Sequence, residues 1–191
     1  MPRDSAGHPS VQRPFPGWRW VSVAVALPIS GIIGGAIGGR VDAVDASLVG
    51  GALTGAVLGA VQWWAAEGAL GRAAAWISAS AAGYAVGLAA GAALVGYDTD
   101  VGALAVMGLV SGAGMGAAQG LALARQGDTR LAVAWGAAMP LLFALGWCAS
   151  WAIGVNVEDQ FTVFGAAGAI VFMLLSGLLL ARFTPAHTRV A

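Results

Sequence analysis

The chain has 191 residues, 59% hydrophobic and only 9% charged, with a formal net charge of zero. A soluble domain carries about 25% charged residues, so this composition excludes a water-soluble globular protein and supplies no basic surface for nucleic acid. Cys148 is the only cysteine, which rules out an intrachain disulfide.

Residues 1–17 are proline-rich, lack apolar periodicity and read as a cytoplasmic tail. Six charge-free runs follow, at 20–39, 46–66, 73–97, 101–124, 131–157 and 160–181. A bilayer-spanning helix needs about 20 apolar residues, and each run is long enough. Without water in the hydrocarbon, backbone amides must pair within the segment, which selects helix. The first run exceeds the apolar core of a signal peptide and is expected to be retained as a helix. Residues 183–191 read as a second cytoplasmic tail.

The charges punctuate these runs asymmetrically. With six alternating spans, Arg3, Arg13, Arg19, Arg72, Arg125, Arg130, Arg182 and Arg189 fall on one side and only Arg40 on the other. The positive-inside rule then puts both termini in the cytoplasm, as expected of a multi-pass protein of a bacterial inner membrane. Asp42, Asp45, Asp98, Asp100, Glu158 and Asp159 lie on the opposite side.

The chain also repeats itself. Gly51, Gly55, Gly59 and Gln62 recur 57 residues later as Gly108, Gly112, Gly116 and Gln119, and again, diverged, as Gly165, Ala169, Met173 and Ser176. The segment QGLALAR from Gln119 aligns with SGLLLAR from Ser176. Asp42, Asp100 and Glu158 keep step in the outer loops at a spacing of 58. The expected fold is an all-α membrane domain over 18–182. Its three hairpins, at about 18–66, 73–124 and 131–182, share one orientation and are related by a pseudo-threefold axis along the membrane normal.

The hairpin ending Gly55-x3-Gly59-x2-Gln62-Trp63, followed by a short polar turn and another Trp-led helix, resembles a large set of uncharacterised bacterial membrane proteins with repeated G-x3-G-x2-Q-W helical hairpins. The resemblance covers most of 47–182. Gln119 is followed by Gly120 where that pattern has tryptophan, and Ser176 stands in place of the glutamine. It implies a fold and no activity. The three-hairpin layout is also similar to mitochondrial carriers, whose proline-acid-base signature in the odd helices is absent from this sequence.

Small residues at four-residue spacing let membrane helices approach closely. Gly51, Gly55, Gly59, Gly108, Gly112 and Gly116 are therefore expected at helix contacts. Gln62, Gln119 and Ser176 either lock neighbouring helices or line a polar constriction. The tryptophans are expected as interfacial anchors, with Trp18, Trp20, Trp63, Trp64, Trp76 and Trp135 near the cytoplasmic boundary.

The apolar runs contain no ionisable side chain, and His8 and His187 lie in the tails. Intramembrane ionisable groups are the usual functional flags, so no enzymatic activity, cofactor or metal is expected. An acidic ring of Asp42, Asp100 and Glu158 could select cations at a channel mouth. Two functions remain open. One is a permeation or transport bundle for a cation or small solute along the pseudo-threefold axis. The other is a non-transporting scaffold or accessory subunit that meets a membrane-protein partner, or a second copy of itself, through glycine faces.

Overall fold

The computed structural model describes residues 17–156, 159 and 161–183. The described residues form helices without strands: α1 (Gly17–Trp20), α2 (Ser22–Gly38), α3 (Val44–Ala65), α4 (Ala73–Leu94), α5 (Val101–Ala124), α6 (Thr129–Ala152) and α7 (Ala166–Phe183). With α1 and α2 taken together as Gly17–Gly38, six helices are long and apolar enough to cross a membrane. This is a multi-pass membrane protein. Each long helix packs on the next in sequence, and α7 returns to α2, so the six close into a ring. Gly17 and Phe183 lie on one face of that ring, called here the terminal face; the other face is the distal one.

The connections are short because the sequence stops and restarts helices within a few residues. At the terminal end of α5, Gly127 takes the left-handed conformation at φ +91°. Its N–H reaches back to Ala124 O, and that of Asp128 reaches Leu123 O. This pairing satisfies carbonyls that a helix end leaves free. The Asp128 carboxylate then caps α6 by accepting from Leu131 N at 3.0 Å. Asp100 caps α5 in the same way, accepting from Ala103 N at 2.8 Å.

Glycine is present at the helix contacts because the backbones leave no room for a Cβ. At Gly51 a Cβ would stand 2.9 Å from Ala85 Cα of α4, and at Gly59 2.6 Å from Ser80 Cβ. Gly55 faces the Ser80 carbonyl still more closely. In α5, Gly108, Gly112 and Gly116 sit against Ala144, Met139 and Gly136 of α6. Gly83, Gly87 and Gly91 bring α4 equally close to α5. Lipid tails offer helices little hydrophobic incentive to associate, so such close contact and interhelical hydrogen bonds carry the packing.

Two expectations need correction. The run 160–181 is not one helix: α7 begins only at Ala166. Thr162, Val163 and Phe164 enter the ring from the distal face and are buried. The Thr162 hydroxyl donates to Gly31 O at 3.1 Å and lies 2.8 Å from Thr54 Oγ1. Gly31 lies seven residues from the end of α2 and Thr54 ten from the start of α3, so at 1.5 Å per residue the segment reaches about 10–15 Å into the bundle. Irregular backbone is tolerated at such depth when protein surrounds it. Here Tyr84 donates its hydroxyl to the Thr162 carbonyl.

The second correction concerns tryptophan. Trp20, Trp76, Trp135 and Trp147 are fully buried inside the ring, whereas Trp18 is 74% exposed and Trp64 50%. Only the latter kind suits an interfacial anchor. Between Trp18 and Trp64 stands the Arg19 guanidinium, 5.3 and 5.2 Å from the two ring centroids. Arg19 also pairs with Glu67 at 2.6 Å, which ties α1 to the α3–α4 connection.

Candidate functional site

Inside the ring, side chains from distant helices converge at two levels. At the terminal level three indoles meet. Trp76 and Trp135 lie 5.7 Å apart between ring centroids and Trp20 and Trp135 6.4 Å, both edge-to-face, the arrangement the ring quadrupole favours. Polar groups surround them. Gln119 Nε2 donates to Gln62 Oε1 at 3.1 Å and to Ser80 Oγ at 2.8 Å. Gln119 Oε1 accepts from Trp135 Nε1 at 2.7 Å. Trp20 Nε1 donates to Ser176 Oγ at 3.1 Å. Ser80 and Ser176 each return their own proton to a carbonyl one turn earlier, Trp76 O and Phe172 O. That back-bonding lets a serine hydroxyl sit inside a membrane helix.

Gln62, Gln119 and Ser176 thus all stand at the terminal level, all fully buried. The two glutamines are bonded to each other, whereas Ser176 bonds to Trp20. Gln62 Nε2 and Trp76 Nε1 are buried donors without a hydrogen-bond partner.

At the distal level the filling is aromatic. Phe143 lies 5.3 Å from Tyr84 and 5.4 Å from both Phe164 and Phe172, and Trp147 caps Phe164 edge-on at 6.2 Å. Phe164 fits because Gly146 leaves its face bare; a Cβ there would stand 2.7 Å from the Phe164 ring. Near the distal mouth, a cavity lined by residues including Val41, Leu104, Met107, Trp147 and Phe161 holds about 10 Å³, close to the least space one water needs.

The outer acids lie apart from this axis. Asp42 and Asp100 are exposed on the distal side, and Asp100 spends an oxygen on its helix cap. Glu158 lies outside the described residues. Among the described residues, no group of three or more His, Cys, Asp or Glu gathers in a way that could hold a metal ion.

Sequence reasoning missed Tyr84, Thr162, Thr54 and the axial role of the tryptophans. One signal was present: a tryptophan stands near the start of each helix that begins on the terminal side, at 20, 76 and 135. Comparison of the chain with protein-family models, with curated proteins and with solved structures finds no match.

Proposed function

We propose that the protein is a non-transporting membrane scaffold or accessory subunit. The observation that carries this reading is the filled axis: Trp20, Trp76 and Trp135 at one level and Tyr84, Phe143, Phe164 and Phe172 at the other are all essentially inaccessible. A pathway through them would require several large side chains to leave a close-packed interior at once.

The partner surface fits this reading in one place. Most glycine faces are spent on the chain's own helices, but Gly35 of α2 has no atom within 4 Å of where a Cβ would stand. It belongs to an open groove of about 240 Å³ lined by residues including Gly31, Ile32, Gly35, Ala36 and Gly39. Such a face suits a second membrane helix, from another protein or from a second copy.

The same proposal includes an internal threefold repeat. Gly51, Gly55 and Gly59 meet Ala85, Ser80 and Ile77, and their counterparts Gly108, Gly112 and Gly116 meet Ala144, Met139 and Gly136. The α3 and α5 positions differ by 57 residues and those on α4 and α6 by 59, the spacing of Trp76 and Trp135. The tryptophan–polar pairs Trp135–Gln119 and Trp20–Ser176 would then be equivalent. Trp76 and Gln62 would be the third pair, left open. We further assign the terminal face to the cytoplasm of a bacterial inner membrane, from the arginine bias.

Permeation is the second reading, and the observation in its favour is the pair of unsatisfied axial donors on Gln62 and Trp76. Flux from reconstituted vesicles separates the two. The scaffold reading expects no cation or small-solute flux above protein-free vesicles. Flux above that control, reduced by neutralising Asp42, Asp100 and Glu158 together, would reverse the conclusion.

A further inference from the structure

We propose that the groove between α4 and α5 at the terminal face binds an anionic phospholipid. Arg72 and Arg125 hold the phosphate, and an acyl chain lies against the alanines deeper in the groove.

The groove measures about 490 Å³ and is lined by residues including Arg72, Ala75, Ala79, Ala118 and Arg125. The two arginines stand at its mouth, one at the start of α4 and one at the end of α5. Neither pairs with a carboxylate among the described residues; the ion pair found there joins Arg19 to Glu67. Two uncompensated guanidiniums at the end of a membrane bundle match a phosphate in charge and in hydrogen-bond geometry.

The walls decide between a lipid and a free anion. Ala79 and Ala118 lie seven residues from Arg72 and Arg125, so the groove runs about 10 Å along helices that rise 1.5 Å per residue. Ala75, Ala79, Ala118, Leu121 and Ala122 leave that depth open and mainly apolar, with the Ser78 hydroxyl as its one polar side chain below Arg72, Arg125 and Gln126. An inorganic anion would occupy only the mouth. A phospholipid fills both parts, with its headgroup at the arginines and its chain in the groove.

A cleft at the terminal ends of α6 and α7 supplies an internal control. It is lined by Asp128, Arg130, Arg182 and Phe183 and measures about 370 Å³. It also carries two arginines, but a carboxylate shares the space and no alanine wall extends it.

The test uses the full chain purified in neutral detergent. Thermal unfolding is followed after addition of phosphatidylglycerol, phosphatidylcholine or inorganic phosphate, and retained lipid is counted per protein by mass. Phosphatidylglycerol is expected to be retained and to raise the unfolding temperature, whereas the other two are not. Arg72→Gln with Arg125→Gln should weaken phosphatidylglycerol binding roughly 10- to 30-fold, the scale of two basic residues near an anionic headgroup. Ala79→Phe should weaken it with both charges intact. Each variant is compared with its own lipid-free unfolding temperature, so a loss of stability is not mistaken for a loss of binding. Equal effects of the two lipids would overturn the proposal. So would an equal effect of inorganic phosphate, or a preference that survives the Arg72/Arg125 changes and disappears with Arg130→Gln and Arg182→Gln.

Discussion

Gln119 Nε2 and Gln62 Oε1, from residues 57 apart in the chain, meet at 3.1 Å inside the ring. The two glutamines are not equally placed. Gln119 is fully used, with Gln62, Ser80 and Trp135 on it, whereas Gln62 makes this one bond and keeps an unpaired amide nitrogen.

Gln119→Leu should therefore cost about 2 kcal/mol, since it breaks three bonds and strands the Trp135 donor. Gln62→Leu should cost under about 1 kcal/mol, because it removes an unsatisfied group along with one bond. Unfolding of the two variants in the same detergent would measure the difference. Equal losses would mean that Gln62 is paired in the membrane.

Glycine substitutions should divide by contact. Gly55→Leu and Gly112→Leu force side-chain carbons into the backbones of Ser80 and Met139, and overpacking costs about 1–3 kcal/mol. Gly35→Leu points into the open groove on α2 and should be neutral or mildly stabilising, since glycine is the weaker helix former by about 1 kcal/mol against alanine. Thermal stability of the purified variants tests this. A large loss at Gly35 would place a partner, or a second copy, on that face.

The inserted segment should behave as core. Phe164→Ala should destabilise by about 3–5 kcal/mol, as expected for a truncated buried aromatic. Tyr84→Phe removes the hydroxyl that holds the Thr162 carbonyl and should cost about 1 kcal/mol. Amide exchange at 161–165 gives a second readout, and it should accelerate in both variants. Fast exchange in the unaltered protein would contradict the buried placement.

Topology is open to cysteine labelling in a Cys148→Ala background. A cysteine at Asp98 should react with an impermeant reagent from outside the cell, and one at Gln126 only after the membrane is opened. Reaction of Gln126→Cys from outside would invert the assignment of the terminal face.

The number and extent of the helices were largely legible in the sequence. Hydropathy is a local sum, and a charge-free run longer than the bilayer has one way to pair its amides. The glycine spacing was legible for a related reason, because a residue without a side chain four positions on marks one face of a helix. Which face meets which neighbour is set by the rotation of each helix against others far away in the chain. Trp20 and Trp18 differ by two positions in sequence, yet one fills the axis and the other faces outward. Composition reads both as boundary tryptophans, and only the packed ring separates them. Residues 161–165 show the limit most plainly. They are as apolar as a helix, but Gly31, Thr54 and Tyr84, from three distant helices, supply the hydrogen-bond partners that let this segment stay irregular. Those partners exist only once the ring has closed.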